Sequence, residues 1–264
     1  MNASPAIADP VPETQSPVLE TRGLRKEFGR LVVTDSVDLV LPRGARHALI
    51  GPNGAGKTTL INLMTGALAP DGGNVRLKGE DITRLEPDAR VKRGLARTFQ
   101  INTLFPKLSP LEAVMLAVLE RRGAGGRWWS PLAGEAEALD EAYGLLTALG
   151  IADVCTRPTR DLAYGEQRLL EIALALATRP AVLLLDEPAA GVPKSESAAI
   201  FEAIAALPAD ISVLFIEHDM TLVFRFASRI SVLVQGRLLV EGAPEDIARD
   251  PLVREVYLGS SAHG

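Results

Sequence analysis

Residues 51–59 of this chain read Gly51-Pro52-Asn53-Gly54-Ala55-Gly56-Lys57-Thr58-Thr59. The stretch has the pattern G-x-x-x-x-G-K-[ST] of a phosphate-binding loop. An apolar run precedes it at residues 48–50, and an apolar stretch that suits a helix follows it at residues 60–64. This order of strand, glycine loop and helix is the context that the motif requires. The sequence therefore predicts a site for a nucleoside triphosphate.

The residue types of this loop fit the chemistry of phosphate binding. Glycines let the backbone wrap closely around phosphates, so that N–H groups and the helix N-terminus point at the anion. The Lys57 ammonium is predicted to reach the outer phosphates, and the Thr58 hydroxyl to join the ligand shell of a Mg²⁺ ion.

Composition limits the class of protein. The 264 residues carry a formal net charge of −5, which argues against a general coat for nucleic acid or anionic membranes. The single cysteine, Cys155, excludes an internal disulfide framework and a multi-cysteine zinc site. No apolar stretch has the length needed to cross a bilayer, so we expect a soluble subunit. Residues 1–17 are rich in Pro, Ala, Ser and acidic residues and are expected to form a disordered tail.

Hydrophobic patterning indicates an α/β fold. Alternation at residues 37–41 and 75–77 predicts half-buried antiparallel strands. Continuous apolar runs at residues 182–185, 211–216 and 230–234 predict buried parallel strands. Helical patterns between these runs, for instance at residues 196–207, complete an α/β core.

The middle of the chain has a different composition. Residues 105–176 are rich in Ala, Leu and Glu at helical spacing and give no strand signal, which predicts a helical subdomain inserted into the core. A glycine-rich break inside it ends in Trp128 and Trp129, which either contact a partner or fold onto their own lobe. We expect one domain over residues 18–259 and a short tail over residues 260–264.

Two carboxylates end the apolar run at residues 182–185. By analogy with other phosphate-loop enzymes, Asp186 is expected to hold Mg²⁺ directly or through water. Glu187 is the natural candidate to orient and polarise an attacking water. Together with the phosphate loop, this pair predicts hydrolysis of the bound nucleotide.

Three further segments indicate a family. Residues 97–100 read Arg-Thr-Phe-Gln, residues 162–167 read Leu-Ala-Tyr-Gly-Glu-Gln, and residues 216–220 read Ile-Glu-His-Asp-Met. In this order, with the phosphate loop, the acidic strand and the segment at residues 189–193 that follows it, they resemble the phosphate loop, Q-loop, signature motif, acidic strand, D-loop and switch histidine of the ATP-binding cassette (ABC) ATPases. The resemblance covers Val18 to Gly259.

The resemblance implies a fold and a set of site residues. The fold is that of a phosphate-loop ABC ATPase, with a parallel-sheet core, an antiparallel β subdomain and a helical subdomain. The catalytic residues are Glu187, His218 and Lys57, and the metal ligands are Thr58, Gln100 and Asp186, with ATP and Mg²⁺ bound. The residues implied to bind ATP are Phe28, Gly51, Pro52, Asn53, Gly54, Ala55, Gly56, Lys57, Thr58, Thr59, Gln100, Ala163, Tyr164, Gly165 and Glu166.

Individual roles follow from the same resemblance. Phe28 matches the aromatic residue that stacks on adenine, with a strand-end core aromatic as the alternative reading. Gln100 corresponds to the residue that contacts Mg²⁺ and the attacking water, and His218 to the switch that hydrogen-bonds the terminal phosphate and positions Glu187. In the family, two such domains pack head to tail with ATP between one phosphate loop and the other signature motif. Gly165 and the helix that begins there would then present N–H groups to the terminal phosphate.

The chain departs from the common family pattern at two places. Ala163 and Tyr164 stand where Ser-Gly is usual, so a hydroxyl contact to phosphate is missing. Pro193 stands where many relatives carry an aspartate that crosses the dimer interface, so communication must use the backbone or neighbouring residues. Both departures, and the ending from Gly242 to Gly259, resemble the ATP-binding subunits of branched-chain and hydrophobic amino acid importers.

This branch implies the partners. They are two integral-membrane permease subunits, a second related or identical ATP-binding subunit, and indirectly an extracytoplasmic solute-binding protein, with the chain peripheral on the cytoplasmic face of the plasma membrane. The alternatives are another ABC system, such as lipopolysaccharide-type export or urea and amide uptake, and a soluble ABC ATPase that acts on nucleic acid or ribosomes. The basic residues Arg90, Lys92, Arg93 and Arg97 are expected to form a solvated face rather than a nucleic-acid contact.

Overall fold

The computed structural model describes residues 17–98, 104–123 and 132–259. Its first layer is an antiparallel sheet with the strand order β2-β1-β4-β5. The strands are β1 (Pro17–Phe28), β2 (Leu31–Pro42), β4 (Gly72–Leu77) and β5 (Glu80–Asp81). Leu19 of β1 pairs with Leu41 on one side and with Leu77 on the other, and all three side chains are buried. The predicted strands at residues 37–41 and 75–77 are thereby confirmed.

The second layer is a sheet with the strand order β10-β9-β3-β8-β7-β6. Neighbouring strands are parallel except for β10, which is antiparallel to β9. The strands are β3 (Arg46–Ile50), β6 (Leu95–Arg97), β7 (Val182–Asp186), β8 (Ser212–Ile216), β9 (Arg229–Val234) and β10 (Arg237–Gly242). The apolar residues of β7 and β8 are fully or almost fully buried, as expected for strands covered on both faces. The three predicted parallel strands are confirmed.

Helices cover the sheets and fill the long connections. They are α1 (Lys57–Thr65), α2 (Pro87–Lys92), α3 (Pro110–Arg121), α4 (Leu132–Ala148), α5 (Tyr164–Leu176), α6 (Lys194–Ala205), α7 (Met220–Phe226), α8 (Pro244–Arg249) and α9 (Pro251–Gly259). The helix predicted at residues 196–207 corresponds to α6. No helix in the described parts of the chain is long and apolar enough to span a membrane.

Helices α3, α4 and α5 lie between β6 and β7. Ser109 caps α3 by accepting a hydrogen bond from the Glu112 backbone, and the Glu112 side chain accepts one from the Ser109 backbone in return. Arg121 at the end of α3 donates two hydrogen bonds of 2.8 Å to Glu141 of α4. These hydrogen bonds, together with those from Arg122 and Arg179, lower the Glu141 pKa to about 2. The described residues of this region form helices and turns, which supports the proposal of a helical subdomain over residues 105–176.

The parallel strands place the candidate site at one edge of the second sheet. The carboxyl ends of β3, β7 and β8 meet there because these strands are neighbours in the order β3-β8-β7. The segments that follow them begin at Gly51, Glu187 and Glu217. Ligands of open α/β sheets bind at this edge. The expected tails, residues 1–17 and 260–264, lie outside the described residues apart from Pro17, which begins β1.

Candidate active site

The phosphate loop leaves β3 and turns at once into α1. Ile50 is fully buried, and Gly56 occupies the left-handed region with φ 99° just before the helix begins at Lys57. A Cβ added at Gly51 would lie 2.1 Å from the Leu233 carbonyl oxygen, and one added at Gly56 would lie 2.5 Å from the Val33 carbonyl oxygen. Glycine is therefore required at both positions, since the neighbouring backbone leaves no room for a side chain.

Lys57 is held at the mouth of this loop. Its ammonium donates hydrogen bonds to the carbonyl oxygens of Gly51 at 2.7 Å and Pro52 at 3.1 Å, and the residue is buried. Burial lowers the Lys57 pKa, and the charges of Glu187 and then Asp186 act in the opposite direction. The lysine and both carboxylates thus share one electrostatic environment, as a site that neutralises phosphate charge requires.

Asp186 ends β7 and is oriented by an arginine. Arg97 of β6 donates a hydrogen bond of 2.8 Å to Asp186 Oδ2 and one of 2.6 Å to Asn62 Oδ1 of α1. The contact fixes one carboxylate oxygen of Asp186, while α1 is tied to the same arginine. Arg97 was expected on a solvated face, and that expectation is wrong, because β6 is the direct neighbour of β7.

The oxygen donors at this place fit a magnesium ion. The Thr58 side chain lies exposed in the first turn of α1, and Asp186 keeps Oδ1 outside its contact with Arg97. Within the described ranges, no group of three or more His, Cys, Asp or Glu side chains is placed to hold a metal. Mg²⁺ is commonly bound by one or two protein oxygens together with substrate phosphates rather than by a protein cage. The donor set therefore fits Mg²⁺ that arrives with a nucleotide.

Glu187 and His218 face each other across the ends of β7 and β8. His218 Nε2 lies 2.8 Å from Glu187 Oε1, and the two side chains are about half exposed. Glu187 has φ 51°, a left-handed conformation that is strained for a residue with a side chain. Its backbone N–H donates a hydrogen bond to the Ile216 carbonyl at 3.1 Å, which holds this turn in place. The carboxylate is thus positioned at the strand end with access for water.

Glu217 is a site residue to which the sequence analysis gave no role. Its buried carboxylate accepts hydrogen bonds of 3.0 Å from the backbone N–H groups of Ala189 and His218. Burial raises the Glu217 pKa, and these backbone donors act against the rise. The residue ties the loop after Glu187 to the segment that carries His218. Its role could have been inferred from the sequence, because Glu217 is an acidic residue directly after the buried apolar strand β8.

The signature residues begin α5. Glu166 Oε2 accepts a hydrogen bond of 2.7 Å from the Ala163 backbone, and Ala163 has no side-chain oxygen to complete a reciprocal cap. Gln167 donates a hydrogen bond of 3.0 Å to the Leu162 carbonyl. In the described structure, Tyr164 lies against Gly191 in the loop after Glu187, and Gly165 lies close to Val192 of that loop and Glu196 of α6. The Glu166 side chain is therefore engaged in capping its own helix through Oε2.

Of the remaining residues singled out in the sequence, Phe28 lies in the described structure and the others do not. Phe28 ends β1 and is 48% exposed, which excludes the reading as a core aromatic. The β2 strand approaches the phosphate loop at Val33, and Phe28 pairs with Leu31 at the end of the same hairpin. Gln100, Trp128 and Trp129 lie outside the described residues.

Two family models match the chain. The model of the ABC transporter family matches residues 34–190, and that of the branched-chain amino acid ATP-binding cassette transporter family matches residues 237–263. The first match contains the phosphate loop, the signature residues and the carboxylate pair. The second covers β10, α8 and α9 and continues beyond them.

Curated relatives and solved structures agree with these matches. The chain is 39% identical over 252 residues to the high-affinity branched-chain amino acid transport ATP-binding protein BraF of Pseudomonas aeruginosa, covering 93% of this chain and 99% of the relative. It is 38% identical to the LivG protein of Escherichia coli, described in the same words, with the same coverage. The crystal structure of the ADP conformation of MJ1267, an ATP-binding cassette of an ABC transporter, superposes with a TM-score of 0.81 at 31% identity, covering 92% of this chain and 99% of that one.

Proposed function

Because the chain belongs to the ABC transporter family and is an ATP-hydrolysing subunit of it, we propose that it powers uptake of branched-chain or related hydrophobic amino acids. The match at residues 237–263 and the BraF and LivG relatives support this solute class over export of lipopolysaccharide type or uptake of urea and amides. The same matches disfavour a role on nucleic acid or ribosomes. The ABC ATPase fold expected from the sequence is confirmed by the superposition on known cassettes.

The observation that carries the chemistry is the contact between Glu187 and His218. The carboxylate and the imidazole lie 2.8 Å apart at the strand ends, in the same electrostatic environment as Lys57. In the proposed mechanism, Glu187 accepts a hydrogen bond from the attacking water and orients it toward the terminal phosphate. His218 holds the carboxylate in place and hydrogen-bonds the phosphate. Lys57 neutralises charge that builds up on the phosphate oxygens.

The nucleotide would lie along the phosphate loop. Backbone N–H groups of residues 53–59 would surround its phosphates, with the N-terminus of α1 behind them. Phe28 would stack on the adenine ring. Thr58, Asp186 and Gln100 would hold Mg²⁺, which when bound withdraws charge from the phosphate oxygens.

We further propose that the working ATPase is a head-to-tail pair. The N-terminus of α5 would contribute N–H groups of Tyr164 and Gly165 to a nucleotide bound on the partner's phosphate loop. A 13-residue helix gives this end a positive dipole that favours the terminal phosphate. Closing and opening of the pair with ATP binding and hydrolysis would drive the permease between two states.

The partners follow from an importer of this kind. We propose two integral-membrane permease subunits, a second ATP-binding subunit and, indirectly, an extracytoplasmic solute-binding protein. The chain would be peripheral at the cytoplasmic face of the plasma membrane.

A Glu187→Gln substitution tests the ATPase mechanism and the pair together. The amide keeps shape but loses the charge, so we expect hydrolysis to fall by about a hundredfold or more while ATP still binds. Sedimentation with ATP and Mg²⁺ is expected to show a dimer of the variant. Glu202→Gln is the matched control, since Glu202 is an exposed glutamate on α6. Near-normal turnover, or no dimer with ATP either with itself or with the second ATP-binding subunit, would contradict the proposal.

Capture of the chain from gently solubilised native membranes tests the transport role. Two multi-span permeases and a second ATPase are expected among the proteins that come with it. The purified complex, reconstituted with its binding protein, should then hydrolyse ATP faster with leucine than with urea. Recovery with ribosomes only, or stimulation by urea only, would contradict the amino acid assignment.

A further inference from the structure

The Tyr164 ring packs against the loop that follows Glu187 in the same subunit. A Cβ added at Gly191 would lie 3.1 Å from both Tyr164 Cε1 and Tyr164 Oη, so the ring fills the space that a side chain would need. Gly191 has φ 78°, which also favours glycine. The residue that replaces the usual signature glycine is therefore in contact with the backbone of this loop.

Arg168 connects the same two segments one turn later in α5. Its guanidinium carbon lies 5.2 Å from the centroid of the Tyr164 ring, a distance suited to a cation–π contact. Nη2 donates hydrogen bonds to Tyr164 Oη at 3.2 Å and to the Ala190 carbonyl at 3.3 Å. Nη1 donates one of 3.0 Å to the buried Glu171, which anchors the guanidinium to its own helix.

Gly165 adds a close approach between the same elements. A Cβ added there would lie 3.1 Å from Glu196 Oε2 and 3.9 Å from Val192 Cγ1. The start of α5 thus packs directly on the loop and on the first turn of α6. Within one subunit, the start of α5 therefore contacts residues 190–192, the middle of the loop formed by residues 189–193.

We propose that Tyr164 and Arg168 are positioning residues that clamp residues 189–193 to the start of α5. This inference rests on the head-to-tail pair proposed above. In that pair, the start of α5 faces the nucleotide of the partner, while residues 189–193 continue from the subunit's own Glu187. The clamp makes these two segments move together, so that engagement of the partner's nucleotide sets the position of Glu187.

The clamp would replace two contacts that are usual in the family, a signature hydroxyl on the phosphate and an aspartate that crosses the dimer interface. Ala163 has no hydroxyl to contact phosphate, and Pro193 has no carboxylate to cross the interface. Tyr164 and Arg168 act on the backbone of the loop instead, through the Ala190 carbonyl and the surface of Gly191. A planar guanidinium is suited to this task because it stacks on a ring and donates several hydrogen bonds at once.

Arg168→Lys in the full-length chain tests the clamp, since it keeps the charge but removes the planar fork. We expect kcat for ATP hydrolysis to fall about tenfold, because small displacements of catalytic groups have effects of this size or larger. The affinity of the subunit for a fluorescent ATP analogue is expected to stay within twofold. Arg225→Lys is the matched control, since Arg225 also stacks on a ring, that of Phe226, and pairs with a glutamate. Its kcat is expected to stay within twofold of the parent.

Tyr164→Phe provides a second variant in case Arg168→Lys fails to fold. It keeps the ring against Gly191 and loses the hydroxyl, so a two- to threefold fall in kcat is expected. When Tyr164→Phe is added to Arg168→Lys, we expect little further fall below the tenfold effect of Arg168→Lys alone. Unchanged kcat in a folded Arg168→Lys protein, or strictly additive effects of the two changes, would overturn the clamp. A fall in kcat matched by an equal loss of nucleotide affinity would overturn it as well.

The dimerisation assay distinguishes failure of the clamp from failure of the head-to-tail pair on which the clamp rests. If Glu187→Gln forms no dimer with ATP, either with itself or with the second ATP-binding subunit, the head-to-tail pair fails and the clamp fails with it. If that variant dimerises while the clamp variants hydrolyse ATP like the parent, only the clamp is overturned.

Discussion

Lowering the pH is expected to destabilise this protein through one buried histidine. His47 of β3 is fully buried, and its Nε2 lies 2.8 Å from Ser231 Oγ of β9. Its Nδ1 has no hydrogen-bond partner in the described structure. Burial lowers the His47 pKa to about 4, with Glu241 opposing the change and Arg229 adding to it. The folded protein therefore keeps this imidazole neutral at a pH where a free histidine is protonated.

The sign and size of the effect follow from linkage. The His47 pKa is lower in the folded state, about 4, than its ordinary value of 6.5, so the unfolded chain binds more protons between these values. Stability from this group is complete above pH 6.5 and is lost as the pH falls from 6.5 through 4. A difference of about 2.5 pH units corresponds to about 3.4 kcal/mol in total, of which about 2 kcal/mol is lost by pH 5.

Urea unfolding of the parent and of His47→Gln at pH 7.5, 6.0 and 5.0 measures this contribution. The variant can be less stable at every pH, but the parent is expected to lose about 2 kcal/mol more than the variant between pH 7.5 and 5. Carboxylates that titrate in both proteins cancel in this comparison. Nuclear magnetic resonance of the His47 ring, assigned with the same variant, should give a midpoint near 4. Parallel losses in the two proteins, or a ring that titrates near 6.5, would refute the reasoning.

Two further substitutions test groups that hold backbone in place. Arg90→Met is expected to lower the free energy of unfolding by more than about 3 kcal/mol, because four backbone carbonyls lose their donor. Lys92 is exposed, so Lys92→Met should change the free energy of unfolding by less than about 0.5 kcal/mol. Urea unfolding compares the two, and equal stabilities would contradict this expectation. In Glu217→Gln, the side-chain NH2 group faces one of the backbone N–H groups that now donate to the carboxylate, so the Ala189 and His218 segments lose their common anchor. We expect kcat to fall about tenfold at unchanged ATP affinity. Steady-state ATPase assays measure this effect, and an unchanged kcat would show that the anchor is not needed.

Much of the fold could be predicted because its signals are local. The alternation in β2 and the continuous apolar run in β7 report whether one or two faces of a strand are buried, and both are properties of a few successive residues. The phosphate loop was predictable for the same reason, since its motif is a short stretch in which Gly51 and Gly56 stand where a side chain would clash with neighbouring backbone. The pairing of Glu187 with His218 was implied by the family resemblance, and the structure places the two side chains within hydrogen-bond distance.

The basic cluster shows where local reading fails. Arg90 was expected in solvent, but it is 2% exposed and donates to carbonyls of residues 63, 64, 83 and 85 at the end of α1 and in the turn before α2. Arg97 likewise reaches Asp186, 89 residues later in the chain. Both contacts depend on which elements become neighbours in space, and a run of charges carries no information about that. Lys92 and Arg93 are exposed as expected.

The loop after Glu187 consists of small residues whose backbone is contacted by side chains from other segments. Its residues 189–191 are Ala-Ala-Gly and offer no polar side chain for contact between sites. Yet the Ala189 N–H is held by Glu217, the Ala190 carbonyl by Arg168, and the Gly191 surface by the Tyr164 ring. Three successive backbone positions are thus fixed by side chains from the His218 segment and from α5. Small residues are what such a loop requires, because each contact reaches the backbone directly. In the pair proposed above, the control that an aspartate in this segment exerts in other relatives would therefore come, in this chain, from the side chains around the segment.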